Sequence, residues 1–266
     1  MKYSMLVLSL DESKDMSIER LAETAARIGL DGVELYAPSL RSLAWDYLKR
    51  VKDALDARRL RVSMISLSTN LTHPTAEMWL WNRSHIKVMC ELAERFETKI
   101  LRVTLGHHQG LSHEQSLNNA RRRLAEAIRI AEEKDVTLAL ENHPLPDIEN
   151  RLEVLLELLE TFPAENLRVN YDPANALRVG EDPVANLRAL IGKVVHLHAK
   201  NGYINANNEF IAEPAVWRGQ TDWKALVKEL KAARYNGYLS LQYSGEQAEE
   251  TLAKSLAYLK GLERQA

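Results

Sequence analysis

The chain has 266 residues, with 35 Lys and Arg against 37 Asp and Glu, a formal net charge of −2, and 45% hydrophobic residues. That balance excludes collagen, coiled coil and extended disorder. It also argues against a nucleic-acid partner, because phosphate binding needs a positive face. The single cysteine, Cys90, excludes an internal disulfide framework and a cysteine-based zinc site, and its place in the helical run Ile86–Phe96 marks it as a small core residue. No apolar run approaches a membrane span, and Met5–Leu10 is too short for a signal segment and ends in Asp11-Glu12. A soluble, cytoplasmic domain of enzyme size is expected, without membrane contact.

In chain order, short apolar runs alternate with longer amphipathic stretches. Strand Ser4–Leu8 precedes helix Ser17–Ile28, and strand Gly32–Tyr36 precedes helix Trp45–Ala57. Arg61–Leu67 leads into Thr75–Phe96, Ile100–Leu105 into Ser112–Glu133, and Val136–Asn142 into Glu149–Thr161. Leu167–Tyr171 then precedes Asp182–Ile191, Val194–His198 precedes Thr221–Arg234, and Tyr238–Gln242 precedes Glu246–Leu262. Ser112-x-x-Gln115 reads as a capping box, and Asp182-Pro183 as an N-cap followed by proline at the first helical position. Gly29 and Gly192 stand where left-handed helix caps are expected. Eight strand–helix units without a Pro-, Gly- or Ser-rich linker predict one α/β domain over residues 1–266, a single (β/α)8 TIM barrel. A doubly wound open sheet would carry a glycine-rich turn after its first strand, where this chain has Ser9-Leu10-Asp11-Glu12.

Function in a barrel is built at the carboxyl ends of the strands, and residues two apart on a strand share a face. The fifth strand ends in Glu141-Asn142-His143-Pro144, so Glu141 and His143 face the interior together. Asp172 stands at the tip of the sixth, and His196, His198 and Lys200 share one face of the seventh. Three successive strands thus end in Glu, Asp and His, a donor set suited to one divalent cation such as Mn²⁺, Mg²⁺ or Co²⁺, with Zn²⁺ also compatible.

On these residues the chain resembles the xylose-isomerase-like superfamily of sugar isomerases, epimerases and related metal-dependent lyases. The resemblance runs from Gly32-Val33-Glu34-Leu35 through Glu141-Asn142-His143-Pro144, Asn170-Tyr171-Asp172-Pro173 and His196-Leu197-His198 to Tyr238-Leu239-Ser240-Leu241. It implies metal ligands at Glu141, Asp172 and His198, and a fourth at Gln242, where the family carries Glu. An amide carbonyl can coordinate, but it brings no charge and cannot act as a base. A narrower resemblance, to the 3-dehydroshikimate dehydratases, rests on Glu141-Asn142-His143-Pro144, Arg102 and Lys200. It implies His143 as the base of an elimination. The apurinic-site endonucleases share the barrel, but their Asp-x-x-His is Asp172-x-x-Asn175 here.

The resulting expectation is a metal-dependent sugar isomerase or epimerase acting on an α-hydroxy carbonyl, with a 3-dehydroshikimate dehydratase-like lyase as alternative and a non-catalytic sugar- or metal-binding barrel as a third reading. Glu141, His143, Lys200 and Arg102 are the catalytic candidates, with Lys200 stabilising enolate charge. The partner is a small carbohydrate-like molecule, and homo-oligomerisation is left open. Glu34 either bonds a sugar hydroxyl or anchors interior polar groups; His107-His108 either orient substrate or form a solvated pair; Asn175 is a further substrate contact. Trp79 and Trp81 are read as core or interface packing, beside a pocket-wall alternative. Asn201–Gln220 shows little helical or strand pattern and reads as a lid carrying Tyr203, Trp217 and Arg218. Arg121-Arg122-Arg123 read as a solvated helix face.

Overall fold

The computed structural model describes residues 1–6, 18–107, 109–143, 151–162, 165–213, 215–242 and 248–266. Strands β1 (Lys2–Leu6), β2 (Gly32–Tyr36), β3 (Arg61–Ser66), β4 (Ile100–Val103), β5 (Thr137–Glu141), β6 (Leu167–Tyr171) and β7 (Val194–Ala199) pair in parallel in chain order. A separate antiparallel hairpin, β8 (Asn201–Ile204) and β9 (Phe210–Glu213), follows; β10 (Tyr238–Leu241) then closes the barrel between β7 and β1. The expected (β/α)8 barrel is therefore the observed one. Helices α1 (Ile18–Ile28), α2 (Trp45–Asp56), α3 (Ala76–Arg95), α4 (His113–Glu132) and α5 (Leu152–Thr161) follow the first five strands. Next come α6 (Pro173–Arg178), α7 (Pro183–Leu190), α8 (Trp223–Ala232) and α9 (Ala248–Gln265). None of the described helices is long and apolar enough to cross a membrane.

The strands show why a barrel forms. Val33, Leu35, Leu101, Val103, Leu138, Leu140, Val169, Tyr171, Leu197, Leu239 and Leu241 are buried in the apolar layer under the helices. Between them in the sequence stand Glu34, Arg102, Glu141, Asn170, His196, His198 and Ser240, also buried. Period-two alternation therefore turns apolar side chains outward to the helices and polar ones inward. Two register shifts modify this. On β3, Ser63 is an extra residue opposite the Val33/Glu34 step, so Ser63 and Ser66, three apart, both bond groups inside the barrel. On β7, Val195 plays the same part opposite Val169/Asn170.

Local signals account for several boundaries and not for others. Ser112 and Gln115 form the capping box, Asp182 caps α7 ahead of Pro183, and Gly29 takes φ 85°. Gly192 does not cap: it lies in a 3-10 turn (Ile191–Lys193) that leads straight into β7 without a reversal. β1 begins before its expected start because Lys2 pairs with Tyr238 and its backbone N–H donates to Gly237 (3.0 Å). Helix α6 was not anticipated, being too short for a helical period; the Asp172 carboxylate caps it through Ala174 and Asn175. The expected starts of three helices, at Ser17, Glu149 and Glu246, lie outside the described residues.

Cys90 is fully buried on α3, and burial pushes its thiol up to about 12. Since the thiolate is the reactive form, native protein at pH 8 is expected to leave Cys90 unlabelled by a thiol reagent, with full labelling in denaturant. Titration with an aromatic disulfide checks this.

Candidate metal centre and substrate cavity

Glu141 at the end of β5, Asp172 just beyond β6 and His198 on β7 bring one donor atom each within 4.8 Å of one another, and all three residues are buried. His198 Nδ1 lies 3.0 Å from Glu141 Oε1 and 4.0 Å from Asp172 Oδ2. Each carboxylate is held by its other oxygen. Arg102, buried on β4, donates through Nε and Nη2 to Glu141 Oε2. Asp172 Oδ1 accepts from Ala174 N (2.9 Å) and Asn175 N (3.3 Å), which leaves Oδ2 facing the cluster. Beyond the end of the β5–β6 ladder, the Asn142 side chain bonds the Asp172 backbone at both its N–H and its C=O (2.8 Å each). Lys200 Nζ stands 3.4 Å from Asp172 Oδ2 and 3.2 Å from Asn175 Oδ1, and the Asn175 amide reaches Glu141 Oε1 at 3.5 Å.

Charge follows this geometry. Burial alone would raise the Glu141 carboxyl, yet Arg102 and His198 beside it hold it well below the ordinary carboxylate range. Burial alone would lower His198, but Glu34 and Glu141 push it up to about 10. Beneath it, His196 is pushed down to about 4 chiefly by burial and stays neutral near pH 7. Two carboxylates and one imidazole, preassembled and turned toward a common point, are a donor set that fits a divalent cation. Gln242 is half-buried and has the strand parity of Ser240, which pairs with His198, so its position belongs to the inward-facing set.

A cavity of about 660 Å³ opens between the ends of β3, β4 and β5 and the first turns of α3; its lining includes His143, two residues beyond Glu141, but none of the three cluster residues. His143 lines one part of it, His107 and Thr104 another, and Trp81, Met78 and Thr75 a third. The two tryptophans differ in placement. Trp79 does pack against the core, and its Nε1 donates to Glu126 (3.0 Å), whereas Trp81 is half exposed and borders the cavity. The wall is tied from behind. Asn82, fully buried, accepts from Asn70 N (3.1 Å) and donates to Asn70 O (3.2 Å) and Met78 O (2.7 Å). Gly106, at φ 83°, lets the chain pass Asn70 where a Cβ would come within 2.6 Å of its Cα.

Arg123 is also corrected. It is buried, not solvated, and donates to the carbonyls of Leu71 (2.9 Å), His73 (2.5 Å) and Thr75 (3.1 Å). Its helical neighbours Arg121 and Arg122 bond outward as expected. A charged run hides such a residue, because only its angle on α4 separates it from the solvated face. Asn82 and Asn170 were likewise not singled out in the sequence, although Asn170 shares strand parity with Asp172 and could have been found that way.

The segment Asn201–Gln220, expected to be irregular, instead contains the β8–β9 hairpin followed by a tied return. Asn201 is buried, with its amide donating to Val216 O (2.8 Å) and its oxygen accepting from Thr221 N (3.0 Å). Four-residue strands are too short to show a period, and the turn at Asn208 takes φ 63°. Tyr203 stands exposed on β8, and Arg218 lies over the Trp217 ring at 5.9 Å. Glu34 is fully buried on β2 under His198. His107 is exposed at the cavity, while His108 lies outside the described residues.

The chain is thus an eight-stranded (β/α)8 barrel with two carboxylates and an imidazole gathered at its strand tips. Residues 22–262 match the family of xylose isomerase-like TIM barrels, and the chain belongs to that family. No curated protein matches it in sequence. The probable 3-DHS dehydratase AsbF from Bacillus anthracis superposes with a TM-score of 0.82 at 21% identity, over 98% of this chain and 99% of that one. D-psicose 3-epimerase from Clostridium cellulolyticum H10 gives 0.83 at 12% identity, over 99% of both chains. A xylose isomerase domain protein from Planctomyces limnophilus gives 0.79 at 18% identity, over 99% of this chain and 98% of that one. At such identities these likenesses establish the shared fold.

Proposed function

We propose that the barrel is a divalent-metal-dependent enzyme that removes a proton from the carbon beside a carbonyl in a small polyhydroxy compound, with His143 as the base. The observation that carries this reading is the convergence of Glu141, Asp172 and His198, with His143, two residues beyond Glu141, lining a cavity. A bound divalent cation, Mn²⁺, Mg²⁺, Co²⁺ or Zn²⁺, supplies Lewis acidity that polarises the substrate's oxygens and acidifies the carbon between them. Glu141, Asp172 and His198 would hold it, with the Gln242 amide oxygen as a neutral fourth donor. Histidine is the side chain most often used for general acid–base proton transfer. Glu141 is a poor base in this setting, because the Arg102 fork and His198 stabilise its ionised form. Lys200, beside Asp172 and Asn175, places a positive charge where enolate oxygens develop negative charge.

A single base supports return of the carbon-bound proton to the neighbouring carbon, while the hydroxyl proton passes to the former carbonyl oxygen, which is isomerisation. It equally supports loss of a β-hydroxyl, which is dehydration. Epimerisation with two opposed bases is the weaker reading, since position 242 offers an amide and Glu141 is held as a weakly basic anion by Arg102 and His198. Protein loaded with Mn²⁺ and incubated in D2O with a panel of ketoses and with 3-dehydroshikimate tests the proposal. Deuterium in recovered substrate or product is expected, and the product separates isomerase from lyase. Metal-loaded protein that exchanges no deuterium with any of the panel would favour a non-catalytic binding barrel.

Gln242→Glu should tighten cation binding by about tenfold or more, roughly 1.4 kcal/mol, because a full negative charge joins the donor set. Competition with a metal-binding dye measures it. Unchanged affinity would mean that residue 242 does not face the cation.

A further inference from the structure

We propose that Glu34 is the positioning residue of this centre: it holds the Nε2 proton of His198 and thereby presents Nδ1 to the cation. The inference rests on the metal-binding reading above and extends it to a residue outside the donor set. His198 lies between two groups of carboxylates. Its Nδ1 faces Glu141 and Asp172 at 3.0 and 4.0 Å, and its Nε2 faces Glu34 Oε1 at 3.2 Å. A ligating imidazole commonly donates its second N–H to a carboxylate, which sets both tautomer and ring orientation. Glu34 is itself fixed: it is fully buried, and the Ser66 hydroxyl donates to the same Oε1.

Two alternatives are disfavoured by neighbouring contacts. The Asn170 amide nitrogen is nearly equidistant from the two nitrogens of His198, 3.5 and 3.2 Å, so it is directed at neither one alone, whereas Glu34 Oε1 contacts Nε2. Glu34, His196 and His198 also gather donor atoms closely enough for a cation of their own. Both His196 nitrogens are engaged, however. Nδ1 is 3.0 Å from the Asn170 side-chain oxygen, to which it donates, and Nε2 is 3.2 Å from the Ser63 hydroxyl. A second cation there would have to break the Ser63 contact in a closed interior. The lower trio therefore supports the upper one, with the carboxylate–imidazole pair spanning the floor of the barrel from β2 to β7.

The test uses the full chain with isotope-labelled histidine and an NMR-active cadmium isotope as the probe ion. Expected are one cadmium per chain, metal–nitrogen coupling at His198 Nδ1, and a retained proton on Nε2. Glu34→Gln should weaken cadmium and Mn²⁺ binding by about 10- to 100-fold, and Ser66→Ala, which frees the carboxylate without removing it, by less. Coupling at Nε2 in wild-type protein overturns the proposal without recourse to any variant, even if Glu34→Gln fails to fold. Unchanged affinity in a folded Glu34→Gln protein overturns it too, as does binding of two cadmium ions with one lost in that variant. Wild-type protein that binds neither metal overturns the metal-binding reading itself, a result distinct from all of these.

Discussion

Asp172→Asn is expected to give a folded barrel that no longer retains a divalent cation. The two oxygens of this carboxylate have separate tasks. Oδ1 accepts the first backbone N–H groups of α6, and asparagine caps a helix about as well as aspartate. The backbone of residue 172 stays pinned by Asn142. Stability in urea should therefore change by less than about 1 kcal/mol. Oδ2, in contrast, faces His198 and Lys200, and its charge is half of what the donor set offers a cation if Gln242 is the fourth ligand. Losing it should cost roughly 3 kcal/mol or more, over a hundredfold in affinity, while Lys200 is left without its carboxylate partner. Metal content of purified protein by mass spectrometry, alongside a urea titration, separates the two effects. A full equivalent of metal in the variant would remove Asp172 from the donor set, and a collapse in stability would show that the carboxylate is chiefly a cap.

The convergence of Glu141, Asp172 and His198 was legible because barrel architecture converts a linear pattern into geometry. Once eight strands are recognised, Glu141, Asp172 and His198 fall at strand tips, and alternation turns them to one side. Gly29, Ser112 and Asp182 were legible for a similar reason, as each acts on its own backbone neighbours. What the sequence concealed depends on register and on angle around a helix. Ser63 reaches His196 only because β3 carries an extra residue opposite Val33/Glu34, and no local preference marks that bulge. Arg123 differs from Arg121 and Arg122 in nothing but azimuth, yet it turns inward to hold the loop behind the cavity wall. Helix α6 and the β8–β9 hairpin are too short for a hydrophobic period and are specified by side-chain bonds from Asp172 and Asn201. Glu34 is fully buried and contacts His198 from below, a depth in the barrel that strand parity alone does not reveal.

His143→Ala is expected to lower solvent-deuterium exchange into substrate by about 10²- to 10⁴-fold, the range for removal of a general base, while leaving metal affinity within about twofold of wild type. The second half of that expectation follows from placement. His143 lines the cavity two residues beyond Glu141, and it is not among the residues whose donor atoms converge. Its backbone N–H bonds the Glu141 carbonyl (2.9 Å), a contact that alanine keeps, so the ligand's strand end should not shift. The first half follows from elimination among groups near the cluster. Glu141 is stabilised as an anion by Arg102 and His198, Lys200 is a cation paired with Asp172, and residue 242 is an amide. Measuring exchange, product formation and metal content on the same preparation makes the outcomes distinct. Exchange at the wild-type rate with full metal occupancy would remove His143 as the base and leave His107, the other imidazole bordering the cavity among the described residues, as the next candidate. Loss of exchange together with loss of metal would instead place His143 within the donor set. His143→Gln adds a control, since an amide can keep a hydrogen bond but cannot accept a proton from carbon. If it too loses exchange while substrate still binds, the missing function is proton transfer and not orientation.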